Sequence, residues 1–568
     1  MKWILKNKPA DTTVAYLQQT CNLPKLIATL LAQRGVQTLE DCHLFFKPTL
    51  QDLHDPYLMK DMRNAVKRIE YAMQQNENIL VYGDYDVDGT TAVSLVYTYL
   101  STIYPNVATY IPDRYKEGYG ISTQGIDFAA DNDFSLIIAL DCGIRSVDKV
   151  QYAKEKGVDF IICDHHLPGD EIPDAIAVLD PKQKDCNYPY KELSGCGVGF
   201  KLIQALHEKR SGKVEDLWQS LDLLATSIAA DIVPITGENR ILAMKGLEVL
   251  NNFPRLGLKH FIKTEGKFTI ADVVFKIAPK INAAGRIEQG ISAVQLLTSQ
   301  NENEVVEKHY LIENFNSQRR DLDKNITQEA LEQIDELNEY NRATTVVYNE
   351  NWHKGVIGIV ASRLIETYYR PTIVFTKSGE VLAASARSIK GYDIYKALDA
   401  CKEHLIQFGG HKYAAGMTLA PENYQKFKDA FENFVSKTLP EECKEPQILI
   451  DVEVNFSELN NQRLLNLLNR MEPCGPENMT PVFLTKNIKA VFPKLLGSDK
   501  THLKFYVQLF EKTETNNGLV EAIFFGGHQW YESIEKGIPI DIVYSISENH
   551  WNGETRKQLE IKDVRVSS

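Results

Sequence analysis

The chain has 568 residues, which is enough for about three or four domains that each bury their own core. Its composition is 43% hydrophobic and 24% charged, and its nine cysteines include no Cys-x-x-Cys pair, so a disordered protein, a disulfide framework and a zinc ribbon are all excluded. The formal net charge of -13 argues against a surface that attracts nucleic acid everywhere, but it leaves room for a local basic groove.

Residues 1–45 are predicted to form a helical extension, with helices near Val14–Gln19 and Leu23–Arg34. The opening Met1-Lys-Trp-Ile-Leu-Lys-Asn-Lys lacks the apolar centre of a signal peptide. No run of the chain approaches the roughly 18 apolar residues that a membrane span needs. We therefore expect a cytoplasmic protein without membrane contact.

Residues 46–300 are predicted to form an α/β domain that opens with a helix over Arg63–Gln75 and a buried strand over Ile79–Gly83. Three closely spaced acids follow that strand, before a helix predicted over Thr90–Leu100: Asp84, Asp86 and Asp88. Because clustered carboxylates repel one another, this arrangement favours a divalent cation at the carboxyl end of the strand. A calcium loop of the EF-hand type is disfavoured, since 91–97 supplies no acid.

Further apolar runs alternate with helical segments after this strand. The predicted strands are Val107–Ile111, Leu136–Leu140, Phe160–Cys163 and Ala175–Leu179, and the predicted helices are Gly125–Asn132, Ser146–Lys156 and Leu217–Ala230. Such alternation predicts a mainly parallel sheet with crossover helices.

Metal-binding residue types recur where these elements end. Asp141 follows one strand, the triplet Asp164-His165-His166 follows another, and Asp231 ends a helix, where a carboxylate opposes the helix dipole unless a cation is present. The candidate ligands are Asp86, Asp88, Asp141, His165 and Asp231. This oxygen-rich set with one imidazole suits manganese or magnesium. Asp84, Asp164 and His166 are predicted to orient ligands or to protonate a leaving oxygen.

These segments resemble a known family. Asp84–Gly89, Asp141–Ile144, Asp164–His166 and Ala230–Pro234 are similar to motifs I to IV of the DHH phosphoesterase superfamily. The segments Ile111–Gly120, Ala278–Arg286, Trp352–Arg363, Ser385–Arg387 and Phe408–Gly416 extend the resemblance to its RecJ branch, over essentially residues 45–568. Asp180 and Cys474 depart from the asparagine and phenylalanine expected there, which affects local details only.

The resemblance implies a single-stranded-DNA-specific 5′→3′ exonuclease that releases 5′-mononucleotides in DNA repair and recombination. It implies two Mn²⁺ or Mg²⁺ ions about 3.5 to 4 Å apart. Arg114 and Arg286 would neutralise phosphate charge, Tyr119 would stack on a sugar or base, and Arg387 would anchor the 5′-phosphate. The full set of expected DNA- or phosphate-binding residues is Arg114, Tyr119, Asn282, Arg286, His353, Arg363, Ser385, Arg387, Gly409, Gly410 and His411.

The second half of the chain is predicted to contain three parts. Residues 301–342 lack glycine and proline and predict one long connecting helix. Residues 343–436 predict a second α/β unit, a DHHA1 substrate-binding domain by resemblance, in which Gly409-Gly410 is expected to form a loop of backbone donors.

Residues 446–568 contain five predicted strands and, by resemblance, form an OB-fold barrel. The predicted strands are Ile448–Val454, Val482–Leu484, His502–Leu509, Ala522–Phe525 and Ile540–Ser547. Lysines between 486 and 504 are interleaved with Phe492 and Phe505, a pattern that suits single-strand binding, although a barrel core explains the phenylalanines equally well.

Two other functions are compatible with parts of this pattern. A DHH-family phosphodiesterase acting on short oligoribonucleotides would share the acids, but the strand-rich C-terminal part argues against it. A non-catalytic replication scaffold would have lost acids from the metal set, and all of them are present. By resemblance, the partners beyond single-stranded DNA are a single-strand binding protein and a RecQ-type helicase, and the protein is a monomer.

Overall fold

The computed structural model describes residues 1–262, 266–287, 290–459, 461–508, 518–551 and 554–567, the side chains of 549–551 and 554–555 excepted. The chain divides into two compact units. The larger unit comprises Leu5–Ile312 and Leu449–Ser568, and the smaller comprises Met1–Ile4 and Glu313–Ile448.

The strands are β1 Lys2–Leu5, β2 Asn78–Gly83, β3 Val107–Tyr110, β4 Phe134–Leu140, β5 Asp159–Cys163, β6 Ala177–Leu179, β7 Thr345–Tyr348, β8 Thr372–Ser378, β9 Val381–Arg387, β10 Gln407–His411, β11 Ala414–Leu419, β12 Gln447–Ile450, β13 Val452–Glu453, β14 Phe483–Ile488, β15 Val491–Leu496, β16 His502–Gln508, β17 Leu519–Phe524, β18 Ile540–Trp551 and β19 Glu554–Val566.

The helices are α1 Asp11–Thr20, α2 Lys25–Ala32, α3 Leu39–Phe46, α4 Met62–Gln74, α5 Val87–Ile103, α6 Thr123–Asp131, α7 Val147–Glu155, α8 Gly195–Lys209, α9 Leu221–Ala230, α10 Gly237–Asn252, α11 Leu256–Lys259, α12 Ile270–Asp272, α13 Ala278–Ile287, α14 Ile291–Thr298, α15 Glu302–Glu336, α16 Ile357–Tyr368, α17 Ile394–Asp399, α18 Tyr424–Thr438, α19 Phe456–Leu459, α20 Gln462–Asn469 and α21 Tyr531–Glu535. None of the helices in the described ranges is both long and apolar enough to cross a bilayer.

The first sheet of the larger unit has the strand order β3-β2-β4-β5-β6, and every pair in it is parallel. Helices α6 and α7 cover one face of this sheet, while α4, α5 and α8 pack on the other. The strands are buried apolar runs, as expected for a sheet covered on both faces. Parallel pairing brings the carboxyl ends of β2, β4 and β5 to one edge, and the prediction of a parallel sheet with crossover helices is confirmed.

Two helix boundaries in this region differ from the prediction. Helix α5 begins at Val87 rather than at Thr90, because the Asp86 side chain caps it by accepting a hydrogen bond from the Gly89 amide at 3.0 Å. The segment predicted as one helix over 217–230 consists of a 3₁₀ segment, Val214–Ser220, followed by α9. Asp88 therefore lies in the first turn of a helix and not in a loop.

The second sheet of the larger unit has the order β13-β14-β18-β19-β17-β16-β15 and mixes parallel and antiparallel pairs. Strands β15 and β19 were not predicted, and the predicted strand over 448–454 is divided into β12 and β13. The predicted strand over His502–Leu509 is present as β16, but its last residue, Leu509, lies outside the described residues.

Helices α1 to α3 contribute to the same hydrophobic core as this sheet. The buried Arg240 guanidinium of α10 donates hydrogen bonds to the carbonyls of Phe45, Met471, Glu472 and Pro473 and so links α10 to this core. The helices of residues 1–45, predicted as a helical extension, thus share a core with the C-terminal sheet.

The smaller unit contains a five-stranded sheet of order β10-β11-β9-β8-β7, in which only β7 and β8 run parallel. The predicted long helix is present as α15, but it ends at Glu336, because Asn338 adopts a left-handed φ of 53°. The predicted glycine loop is wrong: Gly409 and Gly410 lie within β10, paired with Gly416 and Ala415 of β11.

Candidate metal centre

Four separated segments of the larger unit converge at the carboxyl edge of its parallel sheet. The Nε2 atom of His165 lies 3.2 Å from Asp141 Oδ1, 3.6 Å from Asp231 Oδ2 and 3.7 Å from Asp88 Oδ2. Ligand atoms of Asp84, Asp86 and Asp141 also lie within 4.8 Å of one another. The structure therefore brings together all five residues that the sequence predicts as metal ligands.

Asp88 is fixed by backbone and hydroxyl donors from two other helices. Its carboxylate accepts hydrogen bonds from the amides of Gly195 at 2.6 Å and Cys196 at 2.8 Å, at the start of α8. The Ser227 hydroxyl of α9 donates a third hydrogen bond at 2.6 Å. The positive end of the α8 dipole thus faces this carboxylate, and the first amides of the helix hold its two oxygens in place.

Asp141 occupies a crowded backbone position directly after β4. Its φ is 59°, a left-handed conformation that is uncommon for non-glycine residues. Gly195 passes so close that a Cβ added there would lie 2.6 Å from the Asp141 Cβ. A glycine at 195 is thus what allows α8 to approach both Asp88 and Asp141.

Asp164 organises the turn after β5. Its carboxylate accepts hydrogen bonds from the amides of His165 at 2.7 Å and Ile144 at 2.9 Å, and lies 2.7 Å from His166 Nδ1. Burial opposes its charged form, but these interactions, chiefly with His166, lower the pKa of Asp164 to about 2. Burial likewise opposes the charged form of His166, yet Asp164 raises the pKa of that imidazole to about 9. Tyr119 lies beyond, with its hydroxyl 3.3 Å from His166 Nε2.

The remaining acids lie close together, and few hydrogen bonds offset the burial and mutual repulsion of their carboxylates. Burial, reinforced by neighbouring carboxylates, raises the pKa of Asp84 and Asp141 well above the usual range and that of Asp231 to about 8. Among the described residues, Asp84 Oδ1, Asp141 Oδ1 and both His165 ring nitrogens are buried without a hydrogen-bond partner. Converging buried donors of this kind, mostly carboxylate oxygens, fit divalent cations such as manganese or magnesium.

Two arginines lie at the rim of this centre. The Arg114 guanidinium stacks 4.9 Å above the Tyr85 ring, and the Tyr115 hydroxyl donates to the Arg286 carbonyl. Arg286 and the half-buried Asn282 both belong to α13, which packs against Tyr85: a Cβ on Gly285 would lie 2.6 Å from the Tyr85 carbonyl oxygen. Tyr85 thus contacts both predicted phosphate-binding segments, the one that carries Arg114 and the one that carries Asn282 and Arg286.

Sequence reasoning missed three contributors to this centre: Tyr85, Gly195 and Ser227. Tyr85 is the residue between two of the predicted acids, and Gly195 opens the glycine-rich run Gly195-Cys-Gly-Val-Gly199. That run was the one available signal for a close backbone approach. Ser227 gave no signal, because its role depends on the packing of α9 against α5.

In the smaller unit, a second polar group forms at the end of β9. Arg387 Nη1 donates to Ser385 Oγ at 2.9 Å, and a Cβ on Gly358, in the first turn of α16, would lie 2.8 Å from Arg387 Nη2. In the neighbouring strands, Ala414 pairs with both Arg387 and His411, which places His411 in the same row of the sheet. His353 lies just before α16, where its Nδ1 accepts a hydrogen bond from the Gly355 amide at 3.1 Å.

Two residues expected to contact nucleic acid, Arg363 and Phe505, make contacts within the protein, and the Arg363 side chain remains 48% exposed. The Arg363 guanidinium pairs with the buried carboxylate of Asp323, with Nε–O distances of 2.8 Å. Phe505 is fully buried in the core of the C-terminal sheet, whereas Phe492 is 68% exposed. The core interpretation therefore holds for Phe505, and only Phe492 is available for stacking.

Comparison with known proteins agrees with this geometry. The family models that match are the DHH family, N-terminal domain, over residues 78–228, the DHHA1 domain over 341–437 and the RecJ OB domain over 450–563. Together with the acid and histidine cluster, these matches define a DHH-type phosphoesterase.

The single-stranded-DNA-specific exonuclease RecJ of Bacillus subtilis is 38% identical over 100% of this chain and 71% of its own length. The Escherichia coli exonuclease RecJ is 31% identical over 99% of this chain and 98% of its own. The crystal structure of RecJ with Mn²⁺ from Thermus thermophilus superimposes with a TM-score of 0.82 at 25% identity, covering 100% of this chain and 80% of that one. This chain belongs to the RecJ family.

Proposed function

We propose that this protein is a metal-dependent exonuclease that degrades single-stranded DNA from its 5′ end and releases 5′-mononucleotides, in DNA repair and recombination. One observation carries the proposal: four distant segments place Asp86, Asp88, Asp141, His165 and Asp231 at one sheet edge, where, among the described residues, Asp141 Oδ1 and both His165 ring nitrogens are buried without a hydrogen-bond partner. The relatives named as single-stranded-DNA-specific exonuclease RecJ, and the manganese ions in RecJ crystal structures, support the same conclusion.

In this proposal, Asp86, Asp141, His165 and Asp231 would hold one ion, and Asp88 with Asp141 would share in holding a second. When bound, Mn²⁺ or Mg²⁺ supplies Lewis-acid charge for the scissile phosphate and lowers the pKa of the attacking water. Asp164 holds the His166 imidazole in a fixed orientation and keeps a proton available on it. That proton is placed for donation to the leaving oxygen.

The arginines would bind different parts of the DNA strand. Arg114 and Arg286 lie at the rim of the centre and would neutralise phosphate charge in the transition state. Tyr119, which is 60% exposed and contacts His166, would pack against the sugar of the scissile nucleotide. Arg387 with Ser385, supported by His353, Gly409, Gly410 and His411, would bind the 5′-phosphate end.

We propose the following domain roles: 46–300 catalysis, 301–342 connection, 343–436 substrate binding and 446–568 further single-strand binding. The family resemblance also supports action as a cytoplasmic monomer together with a single-strand binding protein and a RecQ-type helicase. Light scattering of the purified protein, alone and mixed with each candidate partner, tests the oligomeric state and the complexes.

The function is tested with 5′-labelled and 3′-labelled oligonucleotides of single-stranded DNA, RNA and duplex DNA, with and without manganese. We expect the 5′ label to be released first as a mononucleotide, from single-stranded DNA and only with metal. Release of the 3′ label first, a preference for RNA, or equal activity in a thoroughly metal-stripped sample would contradict the proposal.

The role of Arg387 predicts a defect that depends on the substrate's 5′ end. Loss of a charge-assisted hydrogen bond should lower kcat/KM for 5′-phosphorylated DNA by about ten- to a hundredfold in Arg387→Ala. The loss on 5′-hydroxyl DNA should be smaller. Lys377→Ala, which removes an exposed positive charge from the same sheet, is the control and should not distinguish the two substrates. An equal loss on both substrates in Arg387→Ala would remove its anchoring role.

A further inference from the structure

Helix α13, which carries Asn282 and Arg286, is preceded directly by one π-helical turn, Val273–Ile277. Phe275 in this turn is 74% exposed, the largest exposed fraction among the large hydrophobic residues described. Exposing a phenylalanine to this extent costs hydrophobic free energy that burial elsewhere would have gained. π-Helical turns often occur at functional sites, which makes this position a candidate for ligand contact.

Phe275 lies on the same helical face as the phosphate-binding residues. Positions 275, 279, 282 and 286 follow one another at intervals of four, three and four, the spacing that places side chains on one face. The opposite face is buried through Ile277, Ile281 and Ala284. A half-buried stripe therefore runs from Arg286, at the rim of the metal centre, to the exposed Phe275.

The surrounding segment is basic in an otherwise acidic protein. Between Arg255 and Arg286 the sequence has seven lysines and arginines against two acids, whereas the whole chain has a net charge of -13. Arg255, Lys267 and Lys276 are paired with Asp222, Glu472 and Asp272, and Lys259 is exposed. Positive charge interleaved with an exposed aromatic ring is the combination that binds single strands, through phosphate contacts and base stacking.

We propose that Phe275 forms a base-stacking subsite for the part of the DNA strand on the 3′ side of the scissile bond. The proposal rests on the proposed function: an enzyme that removes 5′-terminal nucleotides has only one nucleotide on the 5′ side, so a more distant contact must engage the 3′ side. Phe275 and Arg286 lie eleven positions apart along the helix, or roughly 16 Å, which corresponds to about five nucleotides at about 3.4 Å each.

The test compares substrate lengths. In manganese, wild type and Phe275→Ala are assayed on a trinucleotide, which cannot reach the subsite, and on a 20-nucleotide strand. We expect the ratio of kcat/KM for the long strand to that for the trinucleotide to fall about tenfold in Phe275→Ala, and Phe275→Trp to restore it. Tyr71→Ala, which removes a 53% exposed ring from α4, is the matched control and should keep the wild-type ratio.

A binding measurement locates the contact without catalysis. In the cleavage-deficient Asp141→Asn background, 2-aminopurine is placed at successive positions of the strand, and its fluorescence should be quenched by stacking a few nucleotides from the 5′ end. That quenching should disappear in the double variant with Phe275→Ala. An unchanged length ratio, or equal losses on both lengths without restoration by tryptophan, would overturn the subsite. If the wild type cleaves neither substrate, the proposed function itself fails instead.

Discussion

Asp141→Asn is expected to lose about a thousandfold or more of the exonuclease kcat/KM while the protein stays folded. Asp141 is the acid whose oxygen lies nearest to His165 Nε2, at 3.2 Å, and it belongs to two of the three candidate ligand groups. The charge that two cations supply to phosphoryl transfer is worth several kcal/mol, and each 1.4 kcal/mol corresponds to a factor of ten in rate. Steady-state rates on a 5′-phosphorylated strand in manganese measure the loss.

When metal is absent, Asp141→Asn should leave the thermal stability of the protein unchanged or raise it. The carboxyl of Asp141 is buried beside other acids, and burial and those acids raise its pKa well above the usual range, so removing it relieves repulsion. We expect the metal-free Asp141→Asn protein to have a Tm at least equal to that of the wild type. Manganese should raise the Tm of the wild type more than that of the variant, because binding to the native state stabilises it.

Asp180→Asn is the matched control for this experiment. Asp180 is a buried carboxylate that directly follows β6 of the same sheet, but it is not among the candidate ligands. Its Oδ1 accepts a hydrogen bond from the Lys182 amide, and the side-chain oxygen of an asparagine can accept the same hydrogen bond. The control should retain most of the activity and most of the stabilisation by manganese. If Asp141→Asn kept wild-type rates, the metal centre would have to lie elsewhere.

The ligand set was predictable because its chemistry follows directly from the ends of strands. Parallel strands deliver the residues after them to one edge, so Asp141 and His165 could be placed together from the sequence pattern alone. Asp231 was predictable for a different reason, since its position opposes the dipole of the preceding helix. The ligand residues could therefore be predicted from the sequence, because their positions depend on where individual strands and helices end.

The supporting contacts were not predictable, because they join segments that are distant in sequence. The hydrogen bonds from Gly195 and Ser227 to Asp88 span 107 and 139 residues. The ion pair between Arg363 and the buried Asp323 depends on the packing of α16 against α15. The end of α15 at a left-handed residue could likewise not be predicted from the apolar periodicity, because that periodicity continues to Leu337.

Gly195→Ala is expected to lower kcat/KM by about a hundredfold or more, although the residue itself contacts no substrate. The new methyl group would lie 2.6 Å from the Asp141 Cβ, a distance that forces either Asp141 or the start of α8 to move. Movement of α8 would also withdraw the amides that hold Asp88 at 2.6 and 2.8 Å. Displacing a reacting or binding group by about 1 Å can reduce a rate by about a hundredfold.

Gly197→Ala distinguishes this effect from a general intolerance of α8 to alanine. Gly197 lies in the same helical turn, but a Cβ there would meet its nearest neighbours, Leu193 and Ser194, at 3.4 Å, an ordinary contact. Because alanine favours the helix over glycine, this variant should be active and at least as stable as the wild type. Manganese titration of both variants by calorimetry should show weakened binding only in Gly195→Ala. Equal activity and equal manganese affinity in the two variants would mean that the close approach of α8 does not position the acids.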